Sequence, residues 1–235
     1  MPDWLSLLSF GPDGWGDQIA AGALVTVGLA VATLPFGLAM GFLTALAKTS
    51  DEPTLRISAE IYTTVFRGLP ELLTLFIIYY GAQILLQQFL SLFTDTYIEI
   101  NGFVAGMIAL GVVFSSYASE VFQSALKGVP RGQYEGAGAL GLSRGQTMRL
   151  VILPQLIRLA LPGLSNLWLV LLKDTALVSV IGIEDILRQA GIAARVTKEA
   201  FLFFGIACLI YLLFSILSSI GIARIERWAS RGNVR

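Results

Sequence analysis

The chain has 235 residues, of which 55% are hydrophobic and only 14% are charged, and its mean hydropathy is +0.75. A water-soluble domain of this length could not hydrate so much apolar surface, so the composition predicts an integral membrane protein. The formal net charge is zero, which excludes a basic field that would attract nucleic acid. We therefore expect an all-α, polytopic bundle of membrane helices.

Absent residue types narrow the function classes further. The sequence contains no histidine, which excludes Ser-His and Cys-His catalytic pairs and the histidine-containing zinc motifs. It has no G-x-x-x-x-G-K-[ST] motif for holding ATP, and its single cysteine, Cys208, lies in an apolar run. We expect no catalytic residue, no metal site and no cofactor in this chain.

Five apolar stretches are long enough to cross a bilayer, which takes about 20 residues of helix. In chain order, the predicted spans are residues 22–47, 69–90, 102–123, 159–183 and 201–223. Residues 54–68 are mixed in character and form either an amphipathic surface helix or an extension of the second span, with Pro70 as a kink or boundary. The whole chain, residues 1–235, is predicted to be one transmembrane domain.

Basic residues are distributed unevenly between the two sides of these spans. With the N-terminus outside, the inner segments hold twelve of the sixteen lysines and arginines. The outer segments hold the remaining four, Lys173, Arg188, Arg195 and Lys198. Because cytoplasmic segments are enriched in lysine and arginine, this split predicts an outer N-terminus and a cytoplasmic C-terminus, with residues 127–154 inside.

The segment between the third and fourth spans, residues 127–154, is basic but too apolar to be a disordered tail. Its pattern predicts a short helix after Pro130, a stop at Gly141 and a second helix ending at Pro154. We expect Gly141 to adopt a positive φ, the backbone conformation in which helices commonly end. An ordinary amphipathic loop at the membrane surface would fit the same pattern.

Three short motifs resemble those of one transporter family. Glu135-Gly136-Ala137, then Gly141 after three intervening residues and Val151-x-Leu153-Pro154 after nine more, resembles the EAA signature of bacterial ABC-importer permeases, although Gly136 replaces an alanine and Val151 an isoleucine. Residues 67–71 resemble the RG-x-P segment of the polar amino acid permeases, and residues 173–179 resemble a K-D-T stretch late in their fourth helix. Over residues 20–228 the chain is most similar to the histidine, arginine, octopine and nopaline importers.

This resemblance implies a permease subunit in the bacterial inner membrane that forms half of a translocation pore and is not itself an enzyme. It implies a second, similar permease subunit in a heterodimer or homodimer, two ATPase subunits that bind ATP and Mg²⁺, and a periplasmic solute-binding protein. It also implies a cytoplasmic coupling helix that contacts the ATPase. The residues that match the family's coupling loop are Glu135, Gly136, Ala137, Gly141, Leu153 and Pro154.

Polar side chains inside the spans are costly in lipid and are therefore candidates for a pore. The candidates are Ser116, Ser119, Glu120, Lys173, Asp174 and Thr175. The first three share one face of the third span, which would line a cavity or a subunit interface, unless Glu120 lies near the cytosolic end and pairs with an arginine of the loop. Lys173 and Asp174 would face the pore if the fourth helix breaks there, or lie at the outer interface. We interpret Glu71 as a helix partner of Arg67.

The carboxylates among these candidates predict a cationic or zwitterionic substrate, such as an amino acid or an opine. A secondary transporter driven by an ion gradient is the alternative, but that class usually has more spans and often an inverted repeat. A membrane enzyme would need a nucleophile and a base within a span, which the lack of histidine disfavours.

The predicted topology is testable by cysteine labelling. We expect Ser143→Cys, in a Cys208→Ala background, to react with a membrane-impermeant maleimide only after the inner face is exposed, because residues 127–154 are predicted to be cytoplasmic. Labelling of this cysteine in intact cells would contradict the orientation.

Overall fold

The computed structural model describes residues 4–93 and 97–230, most of which are helical, and no strand occurs among them. The α-helices in chain order are α1 (Trp4–Leu7), α2 (Gly16–Lys48), α3 (Pro53–Gly68), α4 (Glu71–Leu90), α5 (Gly102–Gly128), α6 (Arg131–Ala139), α7 (Arg144–Thr147), α8 (Leu153–Asp174), α9 (Ile186–Thr197) and α10 (Ala200–Ser230). A π-helical turn, Met148–Ile152, joins α7 to α8, and a 3₁₀ segment, Thr175–Ile181, follows α8.

Five helical stretches of the described residues are long and apolar enough to cross a membrane. They are Gly16–Lys48, Glu71–Leu90, Gly102–Gly128, Arg144–Ile181 and Ala200–Ala229. A helix satisfies its backbone hydrogen bonds internally, which is the requirement for any segment surrounded by lipid. The prediction of an all-α bundle with five spans is confirmed. Residues 54–68 belong to a separate helix, α3, and Pro70 precedes the first residue of α4.

The predicted helix end at Pro154 is wrong. The helix that begins at Arg144 continues into the fourth span, so this span starts well before residue 159. Pro154 is the second residue of α8, directly after the π-helical turn, whose wider hydrogen bond joins the Leu153 N–H to the Met148 carbonyl. Proline has no N–H, and a local change of hydrogen-bond register lets the helix pass this residue without ending.

The chain forms two compact units, each assembled from three separated stretches. Unit 1 consists of Met1–Phe36, Leu69–Gly111 and Val170–Leu217, and unit 2 consists of Gly37–Gly68, Val112–Leu169 and Ser218–Arg235. All twelve basic residues of the predicted inner segments belong to unit 2, and the other four belong to unit 1. Neither unit is a continuous stretch of chain, and the single-domain organisation remains a prediction.

The core of unit 1 forms around α9. Ile186, Ala190 and Ala193 on this helix pack with Phe203 of α10 and Ile19 of α2, and all five are buried. The alanines place little bulk between neighbouring backbones, which allows the close helix approach that is typical of membrane bundles.

Unit 2 is held together by contacts between α5 and the helices α2 and α3. Gly41 allows the closest approach, because a Cβ atom at this position would lie 2.8 Å from the Cβ of Ala118. One residue further on, the rings of Phe42 and Phe122 meet edge to face with their centroids 5.5 Å apart. These contacts are the physical basis of the small-residue spacing, Gly37-x-x-x-Gly41, in the first span.

Asp185 is a fully buried carboxylate at the start of α9, outside the membrane-spanning stretches. Its Oδ1 accepts a hydrogen bond of 2.9 Å from the Arg188 backbone N–H, and the Tyr211 hydroxyl donates to Oδ2 over 3.5 Å. The Arg188 guanidinium points elsewhere and donates to the Ser179 carbonyl. Burial raises the pKa of Asp185 to about 6, although the backbone donors oppose the shift.

This raised pKa predicts a pH-dependent stability. Between the unfolded-state pKa of about 4 and the folded value, the folded chain keeps a proton that the unfolded chain releases, so stability falls as pH rises through this window. We expect Asp185→Asn, which still caps the helix, to remove this dependence. Both melting temperatures are measured in detergent. Their difference, variant minus wild type, should increase by several degrees as the pH is raised from 4 to 7.

The matched control is Glu184→Gln, which removes a neighbouring exposed carboxylate. A difference between Asp185→Asn and the wild type that stays constant across this pH range would show that the buried carboxyl does not titrate there.

Candidate functional site

The segment that resembles the coupling loop is a short exposed helix with a well-defined end. Gly141 follows α6 with φ +78°, as the sequence predicts. The Leu142 N–H donates to the Ala137 carbonyl over 3.1 Å, and the Gly141 N–H donates to the Gly138 carbonyl over 2.9 Å. This pair of hydrogen bonds is the Schellman motif, which closes a helix with a residue in the left-handed conformation.

The start of the next helix is fixed just as closely. The Ser143 hydroxyl accepts from the Gln146 N–H, and the Gln146 side chain accepts from the Ser143 N–H over 2.9 Å, forming a capping box. A further bond of 3.1 Å joins Gln155 Nε2, on α8, to Gln133 Oε1, on α6. The chain between α6 and the fourth span is therefore rigidly folded at both helix ends.

The residues matched to the coupling loop differ in exposure. Glu135, Gly136, Gly141 and Pro154 are exposed, Leu153 is partly buried, and Ala137 is 3% exposed. Large apolar side chains in the same region are also exposed, namely Tyr134, Leu140 and Leu150. α6 therefore rests on the protein through one face and presents the opposite face, with Glu135, for another contact.

Glu120 accepts hydrogen bonds from two cations on other helices. Its Oε1 is bonded to the Lys48 ammonium and lies 2.9 Å from the Arg67 Nη1. The Lys48 side chain is only 6% exposed, whereas that of Arg67 is 43% exposed and lies over the Tyr117 ring, 5.7 Å from its centroid. Glu120 is thus an ion-pair partner, and the arginine comes from α3 rather than from the loop.

Ser116 and Ser119 are fully buried in this chain. Each hydroxyl donates 2.7 Å to a backbone carbonyl of its own helix, Ser116 to Val113 and Ser119 to Ser116. Their hydrogen-bonding capacity is used inside α5, so the structure places them in helix packing and gives them no exposed polar surface.

The second pair of carboxyl groups lies in unit 1. Asp174, the last residue of α8, hydrogen bonds through its carboxyl to that of Glu71, the first residue of α4, and both residues are partly buried. The interpretation of Glu71 as a helix partner of Arg67 is therefore wrong, since α3 ends at Gly68 before Glu71 begins the next helix. Directly after Asp174 the α-helix changes to 3₁₀ geometry, within the single helical stretch Arg144–Ile181.

The other candidates near this acidic pair differ from each other. Lys173 is exposed, whereas Thr175 is fully buried and donates to the Leu172 carbonyl over 2.7 Å. One turn after Glu71, the buried Thr74 hydroxyl has no hydrogen-bond partner among the residues described.

Sequence reasoning missed Lys48, Glu71 and Asp185. Lys48 directly follows the first predicted span, residues 22–47, and Glu71 is interpreted only from its neighbour in sequence. A signal for Asp185 is available, because an aspartate just ahead of an amphipathic stretch is a common helix start. No group of three or more metal-binding side chains occurs among the residues described.

Comparison with known proteins identifies the family. Residues 14–231 match the family described as the binding-protein-dependent transport system inner membrane component. The chain belongs to this family. The match covers nearly the whole chain.

Members of the family from several bacteria are similar over almost their full length. The nopaline transport system permease protein NocQ of Agrobacterium fabrum is 43% identical over 230 residues, 97% of this chain and 98% of its own length. The arginine ABC transporter permease protein ArtQ of Haemophilus influenzae is 40% identical, covering 87% of this chain and 90% of its own. The histidine/lysine/arginine/ornithine permease protein HisQ of Escherichia coli is 39% identical, covering 93% and 96%.

Solved structures agree with the fold. The chain resembles a subunit of an amino acid ABC transporter crystallised with histidines, with a TM-score of 0.80 and 34% identity over 97% of this chain and 99% of that one. A chain of the MetNI methionine ABC transporter in an inward-facing conformation gives a TM-score of 0.70 at 17% identity, covering 92% and 98%, a likeness of fold alone.

Proposed function

We propose that this family member is the permease subunit of an ABC importer for polar, chiefly cationic, amino acids or opines. The observation that carries the proposal is the exposed helix α6, closed by the Schellman motif at Gly141 and followed by a capped helix that runs into the fourth span. A helix connected rigidly to a membrane span is suited to transmit a movement that begins outside the membrane. The named relatives support the substrate class.

The proposal assigns the other parts of the importer to partners. ATP and Mg²⁺ would be bound by two ATPase subunits, one of which would contact Glu135 and the apolar side chains around it. A second permease subunit, identical or homologous, would complete the pore, and a periplasmic binding protein would deliver the substrate. The twelve-to-four split of basic residues supports a cytoplasmic position for α6 and the C-terminus, with the N-terminus outside.

The acidic pair, Glu71 and Asp174, is proposed to contact the positive group of the substrate. Two neighbouring carboxyls favour a guanidinium or ammonium group, but desolvation offsets part of the attraction, so binding would be weak enough for release. Thr74 would supply a hydrogen bond, and the neighbouring Lys173 and Thr175 would border the site. Glu120 is not assigned to substrate, because Lys48 and Arg67 already use its carboxylate.

The coupling assignment is tested at Gly141. We expect Gly141→Val to abolish transport and to weaken ATPase association, because a β-branched residue with positive φ costs at least about 1–2 kcal/mol. Gly141→Asn should retain both activities, since asparagine tolerates this conformation. The measurements are co-purification with the ATPase and substrate uptake in cells with equal amounts of membrane-inserted permease.

Two further variants complete this test. Gly145→Ala is the control, because Gly145 is helical and a Cβ there meets nothing within 4 Å. Glu135→Lys, which reverses an exposed charge on α6, should weaken ATPase association without lowering insertion. Normal uptake and association by both Gly141→Val and Glu135→Lys would contradict the coupling role.

The substrate site is tested with arginine and citrulline, which have nearly the same shape but differ in charge. In complexes reconstituted with the same binding protein, we expect Asp174→Asn and Glu71→Gln each to reduce the preference for arginine in uptake by about tenfold, equivalent to about 1.4 kcal/mol. Glu99→Gln, at an exposed position in unit 1, is the control. An unchanged preference in both variants would assign the acidic pair to structure rather than to substrate.

A further inference from the structure

Three helix ends meet at one carboxylate in unit 2. Lys48 is the last residue of α2, Arg67 is the residue before the end of α3, and Glu120 lies in the last turns of α5. After α5 the chain passes through residues 129 and 130 and enters α6. In this ion-pair cluster of Lys48, Arg67 and Glu120, the member on α5, Glu120, therefore lies close in sequence to α6.

The two cations of this cluster are held differently. The ammonium of Lys48 is almost completely buried, so its charge needs the Glu120 carboxylate, and removal of that carboxylate would leave a buried charge without compensation. Arg67 is more exposed, and the Tyr117 ring provides an additional contact for its guanidinium. Loss of Glu120 alone should therefore cost far more stability than loss of Arg67.

Each helix joined by the cluster also contacts α5 at a second place. The Tyr62 hydroxyl on α3 lies 2.6 Å from the Ser115 hydroxyl and donates to the Val112 carbonyl over 3.0 Å. On α2, Gly41 lies against Ala118. Two separate contacts along a helix pair restrict relative rotation as well as separation.

We propose that Glu120 is a positioning residue for coupling. By binding Lys48 and Arg67, it fixes the C-terminal end of α5 to α2 and α3, so that a displacement of α6 moves these helices together instead of being absorbed at the end of α5. This inference rests on the proposed function, because it requires an ATPase that displaces α6. It assigns Glu120 a role outside substrate binding.

The test measures uptake of radiolabelled L-arginine and release of phosphate in the same proteoliposomes, using the full importer with its binding protein. The variants are Glu120→Gln, Arg67→Gln and the double variant Lys48→Met/Glu120→Gln. Glu60→Gln removes an exposed carboxylate from α3 and serves as the control. Melting temperature in detergent is recorded for each variant, so that stability and coupling are measured separately.

We expect Glu120→Gln to lower the melting temperature and the double variant to recover it, because the double variant contains no uncompensated ammonium. In both variants, the number of arginine molecules transported per ATP hydrolysed should fall by a factor of at least about five, which is the lower end of typical coupling effects. Arg67→Gln should lower this ratio about twofold with little loss of stability, and Glu60→Gln should match the wild type.

The double variant decides between positioning and simple stabilisation. The inference would be overturned if the double variant recovered both the melting temperature and the wild-type ratio of arginine transported to ATP hydrolysed. It would also be overturned if Arg67→Gln and the double variant both showed the wild-type ratio. Failure of the wild-type chain to bind an ATPase at all would instead refute the proposed function, and this outcome is visible without any substitution.

Discussion

The structure depends on one constraint, the need to satisfy every backbone hydrogen bond where water is scarce. Helices meet it along the spans, and the places where helices end show how it is met elsewhere. At Gly141 the Schellman motif supplies the bonds, and at Gly182, with φ +98°, two N–H groups return to carbonyls of the 3₁₀ segment. Asp185 then caps α9. At these two helix ends, the residues that follow the helix therefore continue its hydrogen bonding.

The same scarcity of water governs ionised side chains, and the chain handles its carboxylates in two ways. In unit 2, Glu120 is neutralised by Lys48 and Arg67, which join three helices. In unit 1, Asp174 lies against a second carboxyl, and the adjacent lysine side chain is exposed. A carboxylate that is already paired with cations contributes to structure, whereas two adjacent carboxyls gain from a cation supplied by a ligand. The two sites are thus chemically suited to different roles.

Local patterns predicted much of this molecule. Apolar length located the five spans, and the glycine at 141 predicted a helix end with positive φ, because both signals depend on neighbouring residues. The predictions that failed concern contacts between residues far apart in sequence, or a choice between several possible nearby partners. Lys48, one partner of Glu120, is 72 residues away in sequence, and Asp174, the partner of Glu71, lies on another span. The prediction of a helix end at Pro154 fails because proline ends a helix only when no change of hydrogen-bond register accommodates it.

The composition of α6 disfavours a helix, so its order comes from the residues around it. Gly132, Gly136 and Gly138 each reduce helix stability by about 1 kcal/mol relative to alanine, so a nine-residue helix of this sequence would not form alone. Its shape comes from the Schellman motif, the buried Ala137 and the link from Gln133 to α8. The exposed face gains nothing from these contacts and carries large apolar side chains, with Leu140 82% exposed. A helix that is fixed through one face and exposes Glu135 beside large apolar side chains on the other would bind a partner at a low ordering cost, because that cost is met before the partner arrives.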